Sequence, residues 1–233
     1  MMPMQQLLLA LSPRPEPSFA SFYPGPNAAA IAALTEAIAG GERTVFLWGD
    51  PGNGKSHLLR AFVAAARALG MQAEYVPAPH AGLADPAGAP ALDAIAVDDV
   101  DRLDAGAQHS LFDWFNAARA RGARVIAAAS CPPAELTLRE DLRTRLGSGL
   151  VLRVLPLQDA EKTAALAWHA ASRGMPLAPG IAVYLHNHCD RDMGTQMAVL
   201  DALDRFSLER KRPITLPLLR EALKALFGAD ARG

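Results

Sequence analysis

Two cysteines, Cys131 and Cys189, are all that this 233-residue sequence contains. That is too few for a disulfide framework, and their spacing does not suit metal ligands, so both read as reduced thiols in a cytoplasm. Long apolar runs are missing too, which excludes a membrane-spanning helix on sequence grounds. The short run from Leu7 to Leu11 has no basic flank and is followed by prolines, which argues against a secretion signal. Nor is charge of one sign in excess: 23 Lys and Arg against 24 Asp and Glu leave a formal net charge of -1. Such a balance advertises no polyanion partner and weighs against a dedicated DNA-binding protein. What is present is 51% hydrophobic residues, in a chain long enough for one α/β domain and a smaller second one.

The most informative stretch is GDPGNGKS, Gly49 to Ser56. It fits G-x-x-x-x-G-K-[ST] and lies between an apolar run, Val45 to Trp48, and a helical pattern that includes Leu58, Leu59, Phe62 and Ala66. Gly52 and Gly54 let backbone N–H groups converge, and the following helix adds the positive end of its dipole. Gly49, Pro51, Gly52, Asn53 and Gly54 therefore read as a cradle for the β-phosphate of a nucleotide. Lys55 is placed to reach the β/γ oxygens and Ser56 to offer its hydroxyl to Mg²⁺. The bland account of the same residues is a glycine-rich strand-to-helix turn.

Residues 1 to 18 read as an extended tail, since Pro3, Pro13, Pro15 and Pro17 deny it a helix or a central strand. Phe19, Phe22, Tyr23 and Pro24 form an aromatic cluster that either packs on an adenine ring or pins the tail to the core. Asn27 stands where it would cap an Ala-rich helix ending near Gly40 and Gly41. Gly70 is a stop for the helix after the phosphate loop, Gln72 to Val76 reads as a second strand, and 77 to 90, rich in Pro, Gly and Ala, as a loop.

Ile95 to Asp99 is an apolar strand ending in two acids. In a parallel sheet both emerge at the carboxyl edge beside the phosphate loop, where Asp98 would hold Mg²⁺ and Asp99 would orient an attacking water. Alone, a strand followed by Asp-Asp is often a cap or a turn. Ala105 to Arg121 reads as a helix whose Leu111, Phe112, Trp114 and Phe115 are core. Arg124 to Ala129 is another buried strand, and Ser130 at its end either bonds a γ-phosphate or caps the turn before Pro132. Arg143 and Arg145 precede a last strand, Leu150 to Val154, and are surface charges unless one is an arginine finger offered to a neighbouring subunit. Gly147 and Gly149 predict a loop that projects Arg145 outward. After Pro156 only helical patterns follow, over 158 to 227, broken at Gly174 to Pro179, near Cys189 to Asp192 and at Pro213.

The order of these features resembles that of the AAA+ ATPases of the DnaA/Hda group, over nearly the whole chain. FASFYPGPN, Phe19 to Asn27, resembles the group's adenine-side entry segment, which implies contacts to the base from Tyr23, Pro24 and Asn27. GNGKSHLL, Gly52 to Leu59, is similar to its phosphate loop and brings in His57. IAVDDV, Ile95 to Val100, has the Asp-Asp form of the Walker B motif seen in the group. RTRLGSGL, Arg143 to Leu150, resembles box VII, which puts the finger on Arg145. RDMGTQMAVLDALDR, Arg191 to Arg205, resembles the sensor II region, except that Gly194 stands where the group has its nucleotide-sensing arginine. Arg191, ~5 Å away along a helix, is the remaining candidate. QLLLAL, Gln6 to Leu11, resembles a Q-L-x-L-x-L peptide whose glutamine and leucines, here Gln6, Leu7, Leu9 and Leu11, dock in a groove of the DNA polymerase sliding clamp.

The resemblance implies an α/β P-loop NTPase domain with a five-stranded parallel sheet over 19–156, a small all-helical lid over 157–233 and a clamp-binding tail over 1–18. It implies ADP or ATP with Mg²⁺ as cofactors, and a cytoplasmic regulator with weak or no ATPase of its own. Held on the clamp, and through it on DNA, the chain would present Arg145 to ATP bound by the replication initiator DnaA and so restrain re-initiation. Self-association stays open. The sequence ends where initiators of the group continue into a DNA-binding domain, so origin recognition by this chain alone is not expected. Two other readings remain: an ATP-driven helicase loader of the DnaC type, and a non-catalytic adaptor in which nucleotide holds the fold together.

Overall fold

In the computed structural model, which describes residues 16–78, 92–175, 177–178, 180–189 and 193–227, five runs between residues 44 and 153 become a five-stranded sheet. The strands are β1 (Thr44–Trp48), β2 (Ala73–Pro77), β3 (Ala94–Asp98), β4 (Arg124–Ala129) and β5 (Leu150–Arg153). All pairings are parallel, in the order β2-β3-β4-β1-β5. The inner strands β3, β4 and β1 are covered on both faces, which is why their runs are apolar at successive positions rather than at every second one.

The two-residue period sorts the side chains between two cores. Phe46, Ile95, Val97, Val125 and Ala127 face one, where helices α3 (Ala105–Arg121) and α4 (Glu140–Leu146) add Leu111, Trp114, Leu142 and Leu146. Val45, Leu47, Ala96, Ile126 and Ala128 face the other, where α1 (Ala28–Ala39) and α2 (Lys55–Ala68) add Leu34, Leu58, Leu59 and Phe62. Helix ends follow local rules. Gly40 ends α1 at φ 109 and Gly122 ends α3 at φ 73, while the Asp104 carboxylate accepts the Ala107 N–H to open α3.

Asn27 does occupy the N-cap position of α1, but its side chain does not cap. A 3₁₀ turn, Gly25–Asn27, leads straight into the helix and leaves Asn27 at φ -103 and ψ 14 rather than in extended geometry. Its amide turns instead to the chain leaving β5, donating to the Leu155 carbonyl at 3.0 Å and accepting the Leu155 N–H at 2.8 Å.

Strand order reverses around β1, which lies between β4 and β5. The turns after β1, β3 and β4 therefore share the carboxyl edge of the sheet, with the β4 turn between the other two. Such an edge is where ligands of open α/β sheets collect.

The chain divides into two compact units, Glu16–Pro156 and the part from Leu157 onward. The second is built from helices α5 (Asp159–Ser172), α6 (Ile181–His188), α7 (Met193–Arg210) and α8 (Leu216–Phe227). Leu166, Ile181, Leu185, Val199, Leu200, Leu203, Leu218 and Leu219 form its core. One buried polar cluster ties α5 to α7: His169 Nε2 lies 2.8 Å from Asp201 Oδ1, and the Arg173 guanidinium reaches the same oxygen. Gly194 is exposed in the first turn of α7. No described helix is long and apolar enough to cross a membrane.

Candidate functional site

The turn after β1 needs its glycines for two separate reasons. Gly49, Gly52 and Gly54 have φ of 151°, 85° and 93°, in the region where L side chains are strained. In addition, a Cβ on Gly49 would come within 2.4 Å of the Val154 carbonyl oxygen, and one on Gly54 within 2.7 Å of the Phe22 ring. Asn53 closes the turn by donating its amide to the Val154 carbonyl at 2.9 Å.

Lys55 is only 6% exposed, and its Nζ donates to the carbonyls of Gly49 at 2.6 Å and Asp50 at 3.0 Å. The loop thus curls round its own ammonium, a buried cation with carbonyl partners, which suits a strong anionic acceptor. Ser56, exposed in the first turn of α2, stands where the helix N–H groups lack intrahelical partners. Pro51 is exposed on the turn.

Residues ahead of α1 are fastened onto this turn. Ser18 and Ser21 cap each other across a 3₁₀ turn. His57 Nε2 lies 3.2 Å from Ser21 Oγ and 3.0 Å from the Ser18 carbonyl, and the Phe22 and His57 rings are 5.5 Å apart. His57 therefore anchors the entry segment, with Tyr23 and Pro24 half-buried beside it. Asn27, with both amide atoms engaged by Leu155, is a clamp on β5 in this structure.

At the end of β3, Asp98 is 3% exposed and accepts the Tyr75 hydroxyl on Oδ2 at 2.7 Å and the Asp99 N–H on Oδ1 at 3.1 Å. Asp99 is left-handed at φ 48 and pairs with Arg102 at 3.5 Å. Burial, then the charges of Asp98 and Asp101, raise its carboxyl above the ordinary range against the opposing pull of Arg102 and Lys55. The Tyr75 hydroxyl is raised as well, by burial first and then by its bond to Asp98, while the Arg60 guanidinium lies 4.6 Å over its ring.

Ser130, on the turn after β4, donates to Asp101 Oδ2 at 2.6 Å, and the other Asp101 oxygen is buried with no partner. No motif in the sequence marks Tyr75 or Asp101. The signal was a tyrosine on a strand beside the acidic one, and a third acid two residues beyond the pair. Among the described residues no group of three or more His, Cys, Asp or Glu is arranged to hold a metal. The Ser56 hydroxyl and the Asp98 carboxylate are hard oxygen donors of the kind Mg²⁺ takes, alongside phosphate and water.

Arg145 is not on a projecting loop. It lies in the last turn of α4, with its guanidinium 4.6 Å from the Phe112 ring centroid. Gly149 was expected to loosen the chain there; instead a Cβ on it would fall 2.0 Å from the Thr44 carbonyl oxygen, so the glycine lets β5 start hard against β1. Arg145 lines a groove of about 660 Å³ with Arg43, Thr44, Arg119 and Val125 among others. Thr44 begins β1, so this groove opens at the amino edge of the sheet, one strand length, ~16 Å, from the carboxyl edge where the Gly49–Ser56 loop begins. Arg143, two residues earlier, lines a different depression with Pro132, Pro133 and Val151. The tail residues Gln6, Leu7, Leu9 and Leu11, and Arg191, lie outside the described residues.

Comparison with known proteins gives both halves relatives. A family model described as the lid domain of Hda matches residues 159–223. Domain III of the Thermotoga maritima replication initiation protein DnaA is similar over 93% of this chain and 98% of its own, at 19% identity and a TM-score of 0.74. AMPPCP-bound DnaA from Aquifex aeolicus is similar over 86% of this chain and 69% of its own, at 21% identity and a TM-score of 0.68. The Thermotoga maritima RuvB Holliday junction branch migration motor shares the fold over 97% of this chain and 76% of its own, at 18% identity and a TM-score of 0.64. Residues 159–223 thus match the lid-domain family of Hda, and the chain, with its five-stranded parallel sheet, has the fold of DnaA domain III.

Proposed function

We propose that this chain is a nucleotide-bound regulator that supplies Arg145 to ATP held by DnaA while docked on the DNA polymerase sliding clamp. The observation that carries the reading is the position of Arg145: it lies at the edge of the sheet opposite the chain's own phosphate loop, seated on Phe112 and lining an open groove. A guanidinium so placed is out of reach of its own nucleotide and available to another's. Its permanent charge and planar fork suit the equatorial oxygens of a transferring phosphoryl group, and such a finger is worth roughly a thousandfold or more in rate.

In the chain's own site, Lys55 and the N–H groups of Gly52 to Ser56 would hold the phosphates of ADP or ATP. Ser56 and Asp98 would hold Mg²⁺, which neutralises phosphate charge when bound. Tyr75 keeps the Asp98 carboxylate fixed. That the Aquifex aeolicus DnaA of the same fold is AMPPCP-bound supports nucleotide as a ligand of this fold. Clamp docking would rest on Gln6, Leu7, Leu9 and Leu11.

A second reading, an ATPase in its own right, is favoured by Asp99, whose raised carboxyl beside Asp98 could take a proton from water. The test is hydrolysis of DnaA-bound ATP on clamp-loaded DNA with the full chain, with a chain lacking residues 1 to 12, and with neither. The proposal expects stimulation by the full chain, loss of it together with clamp pull-down in the truncated chain, and slow turnover by the chain alone. Equal stimulation by the truncated chain removes the clamp from the account.

A further inference from the structure

We propose that Arg43 and Arg119 join Arg145 in an anion-binding groove that takes the phosphate chain of a nucleotide held by another protein. The inference rests on the reading just given and adds two residues to it. Three arginines, one ahead of β1, one on α3 and one on α4, are among the residues that line one groove. Arg43 immediately precedes β1 and lies over the backbone of Gly122, where an added Cβ would come within 3.0 Å of its Nη1. Arg119 is exposed in the last turn of α3, and Arg145 rests on Phe112 in the last turn of α4.

Asp141 is the one acid among the lining residues, and its carboxylate is already paired with Arg139 at 2.6 Å. Phe115, Ala118, Ala123 and Val125 supply an apolar wall. Like charges on a protein surface repel and are ordinarily interspersed with acids. Gathered on a concave, partly apolar surface they focus a positive potential, and guanidinium forks select phosphate oxygens over single-point acceptors. The overall charge of the chain is -1, so this potential is local to the groove. Its place at the amino edge of the sheet separates it from the chain's own loop, and the ligand is therefore brought by a partner.

The test uses the full chain saturated with ADP, so that the Gly49–Ser56 loop is filled, and inorganic triphosphate as the probe in a calorimetric titration. The same variants are assayed for stimulation of DnaA-bound ATP hydrolysis on clamp-loaded DNA. Arg43→Gln and Arg119→Gln should each weaken triphosphate binding about tenfold and lower stimulation by a similar factor. Arg121→Gln, exposed at the end of α3 and off the groove, should change neither. Because Arg43 packs on Gly122, the exposed Arg119 decides the matter if Arg43→Gln unfolds. The proposal is overturned if ADP-saturated wild type binds no triphosphate, or if Arg121→Gln weakens it as much as the groove variants do. Stimulation that needs Arg145 but not Arg43 or Arg119 overturns the proposal and leaves the proposed function standing, whereas no stimulation by wild type overturns both.

Discussion

Replacing Gly54 with alanine tests how tightly the entry segment is closed over the phosphate loop. Two costs add. At φ 93 the new side chain meets the left-handed penalty, about 1–2 kcal/mol. Its Cβ also stands 2.7 Å from Phe22 Cε2, a separation real Cβ atoms essentially never show. The ring must move, and because it also packs toward His57 and the α1/α2 core, overpacking adds about 1–3 kcal/mol. Gly54→Ala should therefore cost about 2–5 kcal/mol in the nucleotide-free protein. In a Phe22→Ala background only the backbone term remains, about 1–2 kcal/mol. Urea unfolding measures both, with Trp168→Phe in every background so that Trp48 and Trp114 report on the first unit alone. Equal costs with and without Phe22 would refute the close approach and leave the loop glycine explained by dihedral angle alone.

Lys55→Ala should weaken ADP binding by about one to two orders of magnitude, since a charge-assisted bond to phosphate is worth about 1.5–3 kcal/mol. It should also remove most of the thermal stabilisation that ADP gives wild type, and calorimetry showing unchanged affinity would contradict it. Asp99 gives a pH prediction. Its folded carboxyl keeps its proton to higher pH than the unfolded one, so stability falls as pH rises through the window just above the ordinary carboxylate value, and ionised Asp99 is a net cost at neutral pH. Asp99→Asn should therefore be more stable than wild type at pH 7, with the advantage vanishing below about pH 4. The exposed pair with Arg102 subtracts little. An advantage that does not change with pH would refute the burial argument.

The sheet was legible because its three inner strands, β1, β3 and β4, are buried on both faces and so read as unbroken apolar runs. Arg124–Ala129 and the helix Ala105–Arg121 fall where periodicity places them. Helix α4 was not, since seven residues, Glu140–Leu146, are too few for a 3.6-residue period to show. Without that helix in view the glycines after Arg145 imply a loop, whereas Gly149 is there for close packing on Thr44. Asn27 shows a similar limit: a capping residue in a capping position was drawn off by Leu155, 128 positions away, a contact that no local pattern contains. Tyr75 and Asp101 gain their meaning only from which strands pair and which turns meet. Short-range motifs announced the phosphate loop; its long-range fastening through Phe22, His57 and Val154 needed the fold.

The most direct measurement is the rate at which DnaA-bound ATP is hydrolysed at saturating clamp and DNA, with wild type, Arg145→Ala, Arg145→Lys and Arg143→Ala compared. Both Arg145 variants should keep ADP and clamp binding and lose most of the stimulation, because lysine restores the charge without the fork. Arg143→Ala should be milder, since that side chain lines a different depression. If Arg143→Ala is the inactive variant the finger is misassigned, and if all three stimulate like wild type the arginine-finger account is wrong.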